Sequence, residues 1–391
     1  MLPRFFLGRL CLMVGLCATV GLLAACDAAV DAPVTDIAPE AVGVFDDAPY
    51  FANALPGDGE WAWIDAPQSM CRDGSASGIG VRAVPGSRKL LILLQGGGAC
   101  LDPGSCETNP SKFDEGDFNG LIAFIGNAGV FDRSRADNPF ADWNTVFVPY
   151  CTGDVHSGSN PNGFVPGVDG VQRFVGYQNL ELYLDQLSPR LQRAERVVLS
   201  GVSAGGFGTV GTYGLFAEAF APTPVDLLND SGPLLRDDAA YSPELQFFQR
   251  VLWNLEPSIP DACPECSQPN GDGIENVLPF YANTYPDANF GLLSYEQDAV
   301  IRFFNGSVLP TCTPENPLGC LIPGETFADA LYDLREILPD NVGTYYVPGE
   351  AHTFLLGEQF YTTSVNGLAL NDAVARFLDG KTLDVPPTPM P

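Results

Sequence analysis

Apolar residues in this chain gather into short blocks, and between the blocks they recur at the three-to-four-residue spacing of a helix face. Residues 80–84, 90–94, 145–148, 196–200, 225–228, 290–294 and 343–347 are rich in Val, Leu, Phe and Tyr, with the length of strands buried on both sides. Pro85-Gly86-Ser87 marks a turn between the first two. Residues 177–187, 204–220, 244–253, 327–337 and 370–378 carry one apolar face each and predict helices. Strands alternating with helices give an α/β chain: a mostly parallel sheet with helices on both faces. The stretch 256–279, rich in Pro and Cys, fits neither period and is expected to be a stapled insertion near the site.

The two ends break the pattern. Arg4 and Arg9 precede an apolar run at 10–23 that is too short to span a bilayer comfortably. Leu23-Ala24-Ala25-Cys26 follows, which resembles the bacterial lipobox, with small residues before a cut and a cysteine that becomes the lipidated first residue. Residues 1–25 are therefore expected to be a lipoprotein signal peptide and Cys26 the anchor, which would be the chain's only contact with a membrane. The protein would be exported and held in the cell envelope, periplasmic or at the cell surface; an ordinary secretory leader would leave it secreted. Residues 26–48, rich in Ala, Pro, Val and acids without a regular period, read as a flexible acidic tether, 49–385 as the folded domain, and 386–391 as a Pro-rich tail.

With 391 residues, 46% of them apolar, the chain can fill a large core. Its formal charge of −29 would become about −31 once the leader takes Arg4 and Arg9 away. Such a field repels nucleic acid and other polyanions and favours neutral or cationic substrates. Beyond the leader and Cys26 stand Cys71, Cys100, Cys106, Cys151, Cys263, Cys266, Cys312 and Cys320, an even set that suggests disulfides in an exported chain. Spacing favours Cys100 with Cys106, Cys312 with Cys320, and Cys71 with Cys151. Cys263-x-x-Cys266 could be half of a zinc site, but no second Cys pair or His pair accompanies it, so neither a metal nor a cofactor is expected.

Gly201-Val202-Ser203-Ala204-Gly205 is the one Gly-x-Ser-x-Gly of the sequence. It follows the apolar run Val197-Val198-Leu199 and opens a helical segment, the strand–turn–helix setting in which a strained turn exposes a nucleophilic serine. Gln95-Gly96-Gly97-Gly98 ends another strand block and resembles the glycine loop that offers main-chain N–H groups to an oxyanion. The donors would be Gly97, Gly98 and Ala204. Only His156 and His352 exist, and only His352 follows Ser203, as a base supplied from a loop after the last strands must. His156 is expected to shape the pocket. The acid should lie between Ser203 and His352 just past a strand; Asp298 is the first candidate, Glu296 the second and Asp230 the third.

Five blocks together carry a family likeness: Leu94-Gln95-Gly96-Gly97-Gly98-Ala99-Cys100, Tyr150-Cys151-Thr152-Gly153-Asp154-Val155-His156-Ser157-Gly158, Gly201-Val202-Ser203-Ala204-Gly205-Gly206, Asp230-Ser231-Gly232 and Ala351-His352-Thr353. In this order they resemble the pectin acetylesterase and Notum family of carboxylesterases, over residues of about 60 to 380. The resemblance implies an α/β-hydrolase-like fold, a metal-free serine mechanism through Ser203, His352 and Asp298, and removal of an O-acyl group, acetyl first, from a small-molecule or polysaccharide ester by a monomer. Gln95 and Ala99 depart from the plant members, which carry Glu and Trp there. A lipase or polyester depolymerase on the same fold, or a non-catalytic surface-binding lipoprotein, would share the motifs. The anchor itself is open to test: metabolic labelling with an alkyne palmitate should tag the protein and miss Cys26→Ala, and equal labelling of both would remove the anchor.

Overall fold

An eight-stranded sheet runs through the centre of the protein in a computed structural model that describes residues 59–385, apart from 192–193, 237, 269–271 and 314. The expected leader, Cys26, the tether and the Pro-rich tail lie outside the described residues. The strands are β1 (Trp61–Ala66), β2 (Ser77–Arg82), β3 (Lys89–Leu94) and β4 (Asn144–Val148), then, after a separate hairpin of β5 (Asn160–Gly163) and β6 (Gln172–Phe174), β7 (Arg196–Val202), β8 (Val225–Asp230), β9 (Phe290–Tyr295) and β10 (Val342–Val347). A last small hairpin pairs β11 (Ser364–Val365) with β12 (Leu368–Ala369). The sheet order is β1-β2-β4-β3-β7-β8-β9-β10, and β2 is antiparallel to both of its neighbours while every other pair is parallel.

The expected mostly parallel sheet with helices on both faces is what the chain forms, and β3 shows why. Leu90, Ile92 and Leu94 point into a core built with helices Gly176–Leu191, Tyr213–Phe220 and Val277–Thr284, while Leu91 and Leu93 point into the opposite core with helices Glu115–Ile125 and Leu370–Leu378. A strand covered on both sides has no solvent face to make polar, hence its unbroken apolar run. At β9 and β10 a third cluster joins Leu292 and Tyr346 to helices Pro243–Trp253, Ala299–Asn305 and Gly324–Ile337.

Three departures from the sequence pattern have local causes. The single helix expected at 204–220 is two, Ala204–Gly211 and Tyr213–Phe220, because Thr212 turns its hydroxyl back to the Gly208 carbonyl at 2.6 Å and leaves helical geometry. The first block of the pattern pairs at 77–82 rather than 80–84, since the N–H of Val84 is taken by the Asn144 side chain at 2.8 Å and not by the ladder. Strand β1 was not legible because its Trp-Ala-Trp-Ile-Asp-Ala pattern is that of a half-covered edge.

Four disulfides join Cys71 to Cys151, Cys100 to Cys106, Cys312 to Cys320 and Cys263 to Cys266. The first three follow the spacing; the fourth closes the Cys-x-x-Cys considered as half of a zinc site. Such a set fits an exported protein. Cys71–Cys151 closes the longest loop, a separation of 80 residues. The double variant Cys71→Ser/Cys151→Ser should lose about 2–5 kcal/mol in a denaturant titration, whereas the pair Cys312→Ser/Cys320→Ser, which closes 8 residues, should lose less.

Candidate active site

Ser203 stands where β7 ends and helix Ala204–Gly211 begins, with φ 57° and ψ −120°. A non-glycine residue in that region costs about 1–3 kcal/mol and persists only where its surroundings hold it. The flanking glycines are what make the turn possible. A Cβ on Gly201 would lie 2.2 Å from the Gly205 carbonyl oxygen, and one on Gly205 would lie 2.0 Å from that of Leu94. The Gly-x-Ser-x-Gly spacing therefore records two main-chain approaches that no side chain fits. The Ser203 N–H is fixed by the Asp230 carbonyl at 2.8 Å.

Asp298 and His352 come together as expected. Nδ1 of His352 lies 2.7 Å from Oδ2 of Asp298, while Oδ1 accepts the N–H groups of Val300 and Ile301 at 3.0 and 3.1 Å, so the acid also caps helix Ala299–Asn305. A carboxylate only accepts; Nδ1 carries the proton and Nε2 keeps its lone pair. That Nε2 is buried and has no hydrogen-bond partner, the Ser203 hydroxyl included. The loops after β9 and β10 are laced to each other: the N–H groups of Glu296, Gln297 and Ala299 donate to the carbonyls of Val347, Gly349 and Glu350, at 2.8, 3.0 and 3.1 Å. Arg302, buried, adds a 2.9 Å ion pair to Glu350 and a bond to the Gln297 carbonyl.

The other two acid candidates are engaged elsewhere. The Glu296 carboxylate takes the Tyr332 hydroxyl at 2.5 Å. That of Asp230 takes the main-chain N–H groups of Phe354 and Leu355, both at 2.8 Å, so it holds the segment after His352 instead of the ring.

The glycine loop approaches Ser203 closely enough that a Cβ on Gly96 would sit 2.7 Å from the Val202 carbonyl oxygen. Gly97 and Gly98 have φ of 154° and 74°, and the Gly97 carbonyl is held by Asn109 Nδ2 at 2.8 Å. His156 does not line the cavity described below. Its Nε2–H donates to the Gln95 carbonyl at 2.8 Å, its ring lies against Tyr150, and burial pushes its pKa down to about 4, which keeps it neutral. It shapes the site through the loop it holds. Asn109 escaped the sequence reading: nothing in a lone Asn before Pro110 signals a contact to a loop twelve residues earlier.

A cavity of about 80 Å³ opens beside Ser203. Gly98 and Ala204 border it; Gly97 does not. Its walls are chiefly apolar: Leu101 and Val155, Phe207 from the elbow helix, Leu234 and Trp253, Ile301 and Phe304, and, from the 256–279 insertion, Ile274 and Val277.

Several known proteins are similar to this chain. The family model described as Pectinacetylesterase matches residues 61–283, a span that holds the glycine loop and Ser203 and stops before Asp298 and His352. Palmitoleoyl-protein carboxylesterase notum2 of Xenopus laevis is 30% identical over 150 residues, which is 36% of this chain and 28% of that protein. Pectin acetylesterase 5 of Arabidopsis thaliana is 29% identical over 211 residues, 52% of this chain and 49% of its own length. The match thus spans between about a quarter and a half of these curated relatives. Among solved structures, that of the Wnt deacylase Notum from Drosophila aligns with a TM-score of 0.61 at 20% identity, covering 82% of this chain and 93% of that one; the shared property is the fold.

Two buried carboxyls flank this site without lining the cavity. Burial pushes Asp154 and Asp230 up to about 6 from the ordinary 3.8, against the donors that favour their charged forms. The folded chain therefore keeps protons there that the unfolded chain releases between about pH 4 and 6, and the stabilisation present below that window is lost as pH rises through it, on the order of 3 kcal/mol per group. Asp154→Asn removes the charge and keeps an oxygen for the Gly176 N–H, while its NH₂ faces the Thr152 hydroxyl, which can accept in turn. Calorimetric melting of this variant should fall less between ~pH 4 and ~pH 7 than that of the parent; parallel curves would refute the assignment.

Proposed function

The chain belongs to the pectinacetylesterase family, and from that membership we propose that it is an exported serine carboxylic-ester hydrolase with Ser203 as nucleophile, His352 as base and Asp298 as the acid that orients it. The observation that carries this reading is the 2.7 Å Asp298–His352 contact, which leaves Nε2 buried and unpartnered on a loop tied to the same Asp230 that holds Ser203.

In the proposed reaction Nε2 takes the Ser203 proton as Oγ attacks the ester carbonyl. The oxyanion that forms is met by main-chain N–H groups at Gly98 and Ala204, with Gly97 beside them, at the N-terminus of helix Ala204–Gly211. The imidazolium, stabilised by Asp298, returns its proton to the leaving alcohol, which departs and leaves an acyl-enzyme. Water activated by the same Nε2 then releases the acid and restores the serine. These steps require neither metal nor cofactor.

The cavity bears on the substrate. An acetyl group would leave part of the space lined by Leu101, Phe207, Trp253 and Ile274 unfilled, and each further methylene buried there contributes about 0.8 kcal/mol. The relatives' names cover both ends of this scale, an acetylesterase and a palmitoleoyl carboxylesterase. Deacylation of a neutral ester with a chain longer than acetyl, on a small molecule or a polysaccharide, is the reading this wall favours over acetyl removal. With p-nitrophenyl esters, kcat/KM should rise about tenfold from acetate to butyrate, two methylenes longer, and Ser203→Ala should abolish both turnover and fluorophosphonate labelling. Turnover in Ser203→Ala equal to the parent would sink the serine mechanism; a preference for acetate would sink the longer-chain reading alone.

A further inference from the structure

The nucleophile and the base sit on different elements, and one residue touches the main chain of both. Asp230 ends β8 opposite Val202 of β7. Its carbonyl accepts the Ser203 N–H at 2.8 Å. Its carboxylate, with no exposed surface, accepts the N–H groups of Phe354 and Leu355 with one oxygen, both at 2.8 Å, and the Ser231 hydroxyl with the other at 3.0 Å. The Ser231 oxygen in turn accepts the Thr353 N–H at 3.3 Å. All three amides that follow His352 are thus held by Asp230, two directly and one through Ser231.

Backbone geometry marks the same place. Ser203, Ser231 and Thr353 have φ of 57°, 64° and 60°, three non-glycine residues in a region that survives only where the surroundings over-determine it. The bonds from Asp230 and Ser231 are what surrounds them. Neither Asp230 oxygen bonds to the His352 ring, whose partner is Asp298.

We propose that Asp230 is a positioning residue that sets the separation between the Ser203 hydroxyl and the His352 imidazole, its carbonyl holding the nucleophile's turn and its carboxylate holding the histidine loop. Asp298 fixes the orientation of the ring, and Asp230 fixes the backbone that delivers it. The inference rests on the serine-esterase reading above, since a separation matters only if a proton crosses it.

The test compares the full chain with Ser203→Ala, Asp230→Asn and Ser231→Ala in p-nitrophenyl butyrate hydrolysis and fluorophosphonate labelling, at a pH well above the value of about 6 to which burial pushes the Asp230 carboxyl. Asp230→Asn keeps the main-chain carbonyl on Ser203 but weakens the acceptor of the Phe354 and Leu355 N–H groups from charged to neutral and sets an NH₂ against Ser231, which loses the oxygen it donates to. A misplacement of this kind should cut kcat on the order of 10²-fold with KM within about threefold, and slow labelling in parallel. Ser231→Ala, which leaves the carboxylate in place, should lower kcat about fivefold at unchanged KM. A kcat for Asp230→Asn within threefold of the parent, or a loss confined to KM or to melting temperature, overturns the proposal. If Asp230→Asn does not fold, as judged by near-UV circular dichroism, folded Ser231→Ala decides: the kcat drop supports the clamp and parent-like kcat overturns it. Failure of the underlying reading has its own mark, a parent activity that survives Ser203→Ala, and the clamp falls with it.

Discussion

Everything at the site depends on how closely three stretches of main chain approach one another at the carboxyl ends of β3 and β7. Gly205 lies against the Leu94 carbonyl, Gly201 against that of Gly205, and Gly96 against that of Val202, each at a separation that excludes a Cβ. This crowding accompanies the positive-φ turn at Ser203. The constraint is steric before it is electrostatic. It belongs to the outer ends of parallel strands, where α/β sheets place their ligands, and the two cores beneath supply the rigidity it needs.

Much of this was written in the chain and some of it was not. The apolar blocks gave β3, β4 and β7 to β10 because strands covered on both faces have no polar side to confuse the pattern. Ser203 and the glycine loop were legible because close approach leaves glycine in fixed places. Asp298 and Glu296 both follow β9, and the capping of helix Ala299–Asn305 by Asp298 is a local signal that separates them: an acid followed by the amides of a first turn. The helices Pro103–Thr108 and Glu115–Ile125 carried the same kind of signal in Asp102 with Ser105 and Asp114 with Asp117, which cap them reciprocally. What no spacing could convey is contact across long separations, such as Asp230 with Phe354 or Asn109 with Gly97. Asp230 stood third among the acid candidates, and its carboxylate holds backbone.

The polar residues near the site divide into those that face the cavity and those that hold what faces it. His156, Tyr150, Asp154 and Asn109 belong to the second group: each is buried, and His156 and Asn109 end on a carbonyl of the glycine loop. Buried polar groups at this density are tolerated only because their partners are supplied locally. The block from Tyr150 to Gly158 is therefore dense in chemistry-bearing residue types, and only Val155 and Ser157 of it border the cavity.

Much of the cavity wall lies apart from the central sheet. No strand of the central sheet contributes to it; Gln249 and Trp253 come from one helix, Leu255, Ser258, Ile274 and Val277 from the segment around Cys263–Cys266. Part of the wall is thus an attachment to the scaffold, closed on itself by its own covalent link, and it joins Phe207 and Gly211 of the helix after Ser203. A change of sequence in that attachment would reshape the space beside Ser203 and leave the strained turn itself untouched.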